Sequence, residues 1–411
     1  MTYEFQIVLR LLGAACTGTD APLPPAVQWE TVFSLAQQQH VLPLICRALR
    51  DAPPPGCPNV LPAVLTQCAR TGSIVALLEE MEQAGLPCCI LKGVAAAANY
   101  AFPEYRSACD TDIVIRPSDE RRVCAFLEGR GFTVRPRWEN GHHAVAAHPE
   151  MGVIEIHVRL YDGIIEDIWS LQEEALLQEP RQRVHTPDGS YWTLGPTDHL
   201  IFMSLHLAKH FVLSGLSLQM MTDVALAIVR HREALDMARF WSTMEAMRFS
   251  TLLNTVLWIL ILYCGFTPEQ FPGLGICNRP LTEPIVQDLE HGGWLGKQEE
   301  DGRKSGWYEY NRTLLMKSKS RLQYRLYMLN WQHSLRFRTV FPGKERLAEH
   351  YPCVLAHPTL IPFAWLHRIL FRGFALLRDK SLETPIIHHP DEISAEGKAR
   401  IAMFQRLEML P

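Results

Sequence analysis

The stretch Asp110-Thr-Asp112-Ile-Val-Ile115 constrains this chain more than any other. It sets two acids one residue apart inside an apolar run. In a strand, side chains alternate between faces, so Asp110 and Asp112 project together while Ile113 and Ile115 turn to a core. Two carboxylates on one face repel each other unless a positive charge sits between them. A divalent metal is the usual partner, and a metal that also holds phosphates makes this a candidate phosphoryl-transfer site. The plain alternative is an exposed strand edge with solvated carboxylates.

The surroundings of the pair sharpen the reading. Pro87 to Leu91 is a short apolar strand that ends in Lys92-Gly93, and Val94 to Tyr100 is Ala-rich and helical. Phe102 to Arg106 reads as a loop. Pro117 to Arg130 reads as a helix capped by Ser118 and closed by Gly131, and Phe132 starts a third strand. His142–His148 and Gly152–Leu160 alternate around Pro149-Glu-Met-Gly152, which predicts a hairpin. On its second arm Glu155, His157 and Arg159 share one face, and Ile154, Ile156 and Val158 the other.

Helical spacing dominates on both sides of this unit. It recurs in Phe5–Leu12, Val32–Ala36, Leu42–Leu49 and Thr71–Ala84 before the unit. After Tyr161 it returns in His199–Val212, Leu218–His231, Arg239–Met247, Leu252–Phe266, Leu314–Val340 and Pro362–Leu377. The expected fold is therefore α+β, a small mixed sheet flanked by N-terminal and C-terminal helical regions. The expected divisions are 1–85 helical, 86–162 the α/β core, 163–378 helical, and 379–411 a connector and terminal helix. His388-His389 falls in that connector.

At 411 residues the chain can bury two or three cores. A formal net charge of −4 gives no overall case for nucleic-acid binding. Charge is uneven, however: eleven Lys or Arg stand against Glu309 and Glu345 between Arg303 and Arg346. That 303–346 segment fits an anionic or peptide partner, or a solvated basic helix face. Tyr324, Tyr327 and Trp331 within it fit a helix core or an acceptor groove. Eleven cysteines without a paired spacing argue against a disulfide framework and for a cytoplasmic location. No membrane span is expected, because the most apolar segment, Leu252–Phe266, is short of the roughly 20 residues a bilayer requires.

The ordered set Leu91-Lys-Gly93, Tyr100, Arg106, Asp110-Thr-Asp112 and Glu155-Ile-His157 resembles the nucleotidyltransferase superfamily with the DNA polymerase β-type catalytic fold. More narrowly it resembles the bacterial uncharacterised nucleotidyltransferase group. The flanking helices, the His206/His210 helix, Asp223, and the Arg338, Phe341-Pro342 and Tyr351 region extend the likeness over most of the chain. The wider superfamily carries Gly-Ser or Gly-Gly after the first strand. This chain has Lys92-Gly93-Val94, as the narrower group does.

The resemblance implies an enzyme that moves a nucleoside monophosphate from an NTP, ATP by default, to an acceptor and releases pyrophosphate. It implies two Mg²⁺ ions, or Mn²⁺, held by Asp110, Asp112 and Glu155. Lys92 and Arg106 would face the triphosphate, and Gly93 would let the backbone approach it. The plain alternative for Lys92 is a surface lysine at a strand end, and Arg106 can pair with Glu104 or Asp110. His157 fits a group that orients Glu155, a stacking partner for the base, or a half-buried histidine.

His206, Lys209 and His210 share a helix face, and no further ligand completes a zinc site there. Lys209 or His206 is expected to reach the nucleotide, with Asp223 orienting one of them. Relatives near natural-product pathways, lasso peptides included, favour a peptide, sugar or other small-molecule acceptor over nucleic acid. Two other functions use the same residues: a kinase-like phosphotransferase, and a non-catalytic nucleotide-binding or partner-binding module.

Overall fold

Thr2 starts the first helix by accepting a hydrogen bond from the Phe5 amide, and Gly18 ends it in a left-handed conformation. This helix, α1 (Tyr3–Thr17), buries Phe5, Val8, Leu9 and Leu12. The computed structural model describes residues 1–19, 26–107, 110–137, 143–160, 177–213, 215–291, 347, 351, 353–367 and 402–409. Two compact units divide the chain: Met1–Glu299 with Leu407–Met409, and Glu300–Arg406 with Leu410–Pro411.

In the first unit, α1 packs with α2 (Trp29–Gln38) and α3 (Leu42–Ala48). The long helix α4 (Leu61–Gln83) lays Ile74, Val75, Leu78 and Met81 on the sheet, where Ile90, Ile113, Ile154 and Ile156 meet them. By length and composition alone α4 could cross a membrane. Its C-terminal half instead serves the core, and Glu79 accepts hydrogen bonds from the Ser190 amide and hydroxyl on the sheet.

The sheet has seven strands: β1 (Cys89–Ile90), β2 (Asp110–Val114), β3 (Thr133–Arg135), β4 (His143–His148), β5 (Gly152–His157), β6 (Gln182–Thr186) and β7 (Gly189–Thr193). Their order is β3-β4-β5-β2-β1-β7-β6. The central strand β2 runs parallel to β5 and antiparallel to β1. The expected hairpin is present as β4 and β5, with Ile154 and Ile156 fully buried. The short helices α5 (Val94–Ala97) and α6 (Glu120–Glu128) follow β1 and β2.

One expectation fails here. Helices were expected beyond Tyr161, with the core ending at 162, yet a second hairpin at 182–193 completes the sheet by pairing β7 with β1. Exposure explains why its first arm escaped notice. β6 is an edge strand whose Gln182, Arg183 and His185 face solvent, so no apolar alternation marks it.

Five helices follow: α7 (Pro196–Leu213), α8 (Leu218–His231), α9 (Met237–Ala246), α10 (Ser250–Cys264) and α11 (Arg279–Glu290). As expected, α10 is a buried helix, with Leu252, Leu253, Val256 and Leu260 in the core. It lies against Gly13 of α1, where an added methyl group would collide with the Cys264 carbonyl. Gln39 ties the helical layers together. Its side chain donates to the Leu289 carbonyl and accepts from the Leu218 amide at the start of α8.

In the second unit Leu347, Val354 and Ala364 form a small cluster, and Tyr351 and His367 are hydrogen-bonded. The basic 303–346 segment, with Tyr324, Tyr327 and Trp331, lies outside the described residues, as do Arg338, Phe341-Pro342 and the His388-His389 connector.

Candidate active site

The acid cluster follows from strand register. Asp112 of β2 lies directly opposite Glu155 of the parallel strand β5, so their side chains leave the sheet on the same face. Asp110, two residues earlier, joins them. Ligand oxygens of Asp110, Asp112 and Glu155 all lie within 4.8 Å of one another. The ammonium of Lys92, from the turn after β1, sits 3.2 Å from Asp110 Oδ2 and 3.1 Å from Asp112 Oδ2.

His157 closes the cluster from behind. Its Nε2 donates to Asp112 Oδ1 at 3.0 Å and stands 3.4 Å from Glu155 Oε2. It therefore holds the two acids that flank it. Directly across the ladder from His157 is His143, and a group of His143, Glu155 and His157 also brings ligand atoms within 4.8 Å.

Burial and charge oppose each other throughout this group. Burial pushes the Asp110 carboxyl above its usual range, with Lys92 pulling it back and the other two acids adding to the rise. Burial would also raise Glu155, but the hydrogen bond from His157 and the charges of His143 and Lys92 hold it well below that range. Burial would lower Lys92 and His157. The acids win in both cases, so both bases are held above their ordinary values.

Gly93 adopts φ 70°, ψ −109°, a conformation open to glycine, and a Cβ there would stand 3.0 Å from the Asp110 carbonyl. This permits the close backbone approach expected of it. The helix that follows is a single turn, too short to add a dipole of consequence.

Arg106 departs from expectation. It lines the cavity beside Lys92 and Gly93 but pairs with neither Glu104 nor Asp110. Its Nε and Nη2 donate to Asp223 Oδ1 and Oδ2 at 2.8 and 2.6 Å, and the guanidinium is 6% exposed. Its Nη1 donates to the Ser107 carbonyl and reaches the Gly93 carbonyl at 3.5 Å. Tyr100 donates a further hydrogen bond to Asp223 Oδ1. Arg106 thus braces the Gly93 turn against α8, and Asp223 orients Arg106 rather than a histidine of α7. The sequence signal for Asp223 was a lone acid in the apolar run Leu218–Ile228.

A cavity of about 210 Å³ opens beside Lys92, Gly93 and Asp110, walled by α7 and α8. Phe202, Met203, His206 and Leu207 line it from α7, and Gln219 and Met220 from α8. His206 stacks on Phe202, and its ring lies 4.5 Å from that of His210. Burial first, then the charges of Lys209 and Lys92, lower both imidazoles, His206 also through His210, and His210 to about 3. Among the described residues neither belongs to a group able to hold a metal. Lys209 does not line the cavity, though its charge acts on His143, His206 and His210.

Three clustered carboxylates are a hard oxygen donor set that suits Mg²⁺ or Mn²⁺. One observation supports the fit directly. Asp112 Oδ2 is buried, with the Lys92 ammonium at 3.1 Å and no other hydrogen-bond partner, so it retains capacity for a ligand. Comparison with curated proteins and with solved structures returned no match. A family model described as "Uncharacterised nucleotidyltransferase" matches residues 25–265, which takes in the whole sheet and helices α2 to α10. The chain therefore belongs to the uncharacterised nucleotidyltransferase family.

Proposed function

We propose that this protein transfers a nucleoside monophosphate, AMP from ATP by default, to an acceptor hydroxyl and releases pyrophosphate. The observation that carries the reading is the triad Asp110, Asp112 and Glu155 on one sheet face around Lys92, beside the Gly93 turn. These acids would hold a pair of Mg²⁺ or Mn²⁺ ions, which when bound activate the acceptor oxygen and neutralise the leaving pyrophosphate.

The protein residues divide the remaining work. Asp110 and Asp112 both contact Lys92, so a ligand that takes up their charge leaves the ammonium to pair with a phosphate. Gly93 brings backbone close to that phosphate. His157 fixes the orientation of Asp112 and Glu155. Glu155, which does not line the cavity beside the Gly93 turn, is assigned to the acceptor side. Lys209 acts electrically on His143, which stands across from His157, and also on His206 and His210 beside the cavity. The acceptor is a small molecule, a sugar or a peptide, a natural-product precursor among them, rather than nucleic acid.

Incubation with Mg²⁺ or Mn²⁺ and ATP labelled at the α- or γ-phosphate, over a panel of acceptors, tests the reading. Acceptor labelled from the α-position with pyrophosphate release is expected. Label transferred from the γ-position alone would make the protein a kinase and overturn it. ATP binding that survives Asp110→Ala/Asp112→Ala unchanged would remove the site assignment.

A further inference from the structure

We infer that the cavity between α7, α8 and the Lys92-Gly93 turn receives the nucleobase of the triphosphate; this rests on the nucleotidyl-transfer reading above. Its position comes first. Lys92, Gly93 and Asp110 line the cavity, whereas Asp112, Glu155 and His157 do not. The cavity therefore adjoins the phosphate side of the acid cluster and lies away from the side that Glu155 assigns to the acceptor. A nucleotide whose phosphates sit at the turn has its base directed into this space or out into solvent.

The lining chemistry selects the base. Phe202, Met203, Leu207 and Met220 supply apolar and polarisable surface for a flat ring. His206 and His210 in the lining are imidazoles whose protonation burial disfavours, so they add no charge. The other cation in the lining, Arg106, is committed to Asp223. Apart from Lys92 at its mouth, the cavity thus offers little to an anionic group, and a charged acceptor would be desolvated there without compensation.

His40 adds a third imidazole from the turn between α2 and α3, held at φ 58°. A side chain other than glycine in that conformation stores backbone strain that the surrounding fold must offset. Gln39 beside it anchors the same turn to the start of α8. The N-terminal helices are thereby tied to the cavity wall.

The test compares ATP with inorganic tripolyphosphate, each with Mg²⁺, by calorimetry on the full chain. ATP is expected to bind the parent at least about ten-fold more tightly than tripolyphosphate. Met220→Trp, which fills the cavity from a half-buried position, is expected to erase that advantage and leave tripolyphosphate affinity unchanged. Equal affinity of the parent for both probes would overturn the inference while leaving the phosphate site intact. So would an advantage that persists in a folded Met220→Trp variant. Binding of neither probe to the parent would remove the nucleotidyl-transfer reading itself. Photolabelling of the parent with 8-azido-ATP needs no variant: label is expected on peptides 202–210 or 217–224, and label confined to 143–157 would overturn the inference.

Discussion

Asp223→Ala is the most informative single perturbation of this fold. It removes the carboxylate that receives two charged hydrogen bonds from Arg106, at 2.8 and 2.6 Å, and one from the Tyr100 hydroxyl. The guanidinium left behind is buried, and its remaining contacts are backbone carbonyls. Removing one partner of a buried ion pair costs about 3–5 kcal/mol, because the survivor stays charged and desolvated. The Tyr100 hydroxyl loses this acceptor but keeps Thr222 Oγ1 at 2.8 Å, so it adds little to the loss. Asp223→Asn keeps an oxygen acceptor and is expected to cost less. Arg106→Met/Asp223→Leu removes both charges and is expected to recover most of the stability, since well-packed apolar replacements of buried pairs are often neutral.

Urea denaturation followed by tryptophan fluorescence measures all three, with ten tryptophans as reporters. A loss below about 1 kcal/mol in Asp223→Ala would refute the claim that this pair is buried and bidentate. Function separates from stability in the double variant. Its fold returns, but the Gly93 turn loses the Arg106 brace, so nucleotide affinity is expected to stay low. Full recovery of nucleotide binding would show that Arg106 only compensates Asp223 and positions nothing.

Gly93→Ala forces a side chain into a conformation that costs about 1–3 kcal/mol and brings a methyl against the Asp110 carbonyl; a lower Tm and weaker tripolyphosphate binding are expected together. His157→Ala leaves Asp112 and Glu155 without their common donor, and Mn²⁺ affinity, read by calorimetry with ATP present, is expected to fall about 10–100-fold. His199 sets an acid limit. Its Nε2 must donate to the Leu91 carbonyl, and burial lowers its pKa from 6.5 to about 4. The unfolded chain therefore takes up this proton at a higher pH than the folded one. Its stabilising contribution is complete above pH 6.5 and is lost as pH falls toward 4, by at most about 3 kcal/mol. His199→Gln keeps a donor without a titrating ring, and its urea midpoint is expected to change less between pH 7 and pH 5.

The acid cluster was legible because strands repeat every two residues. That period alone put Asp110 with Asp112 and Glu155 with His157, and the parallel pairing of β2 with β5 then joined the two sets. The buried face Ile154-Ile156-Val158 was legible for the same reason. The ion-pair partner of Arg106 was not legible, because it lies 117 residues away on another element and local sequence offers nearer acids. The hairpin at 182–193 was missed on its exposed arm, although Asp188-Gly189 carried a turn signal and Tyr191 on the second arm is buried. The cavity could not be read at all. Its walls come from the Lys92 turn, α7 and α8, and only packing decides which of their side chains meet.

The Lys92 ammonium between Asp110 and Asp112 gives the acid pair its own counter-charge, a placeholder for a cation. Many metal sites exist only once loaded, so metal binding and folding are one event. Here one charge of the acid pair is already met from within the chain by Lys92. The placeholder also sets a toll on entry. A bare divalent ion would have to evict a half-buried ammonium and leave it unmatched, whereas a metal carried on a triphosphate brings the anion that the evicted lysine needs. A chain built this way discriminates by the pairing of its guests, admitting cation and polyanion together and resisting either alone.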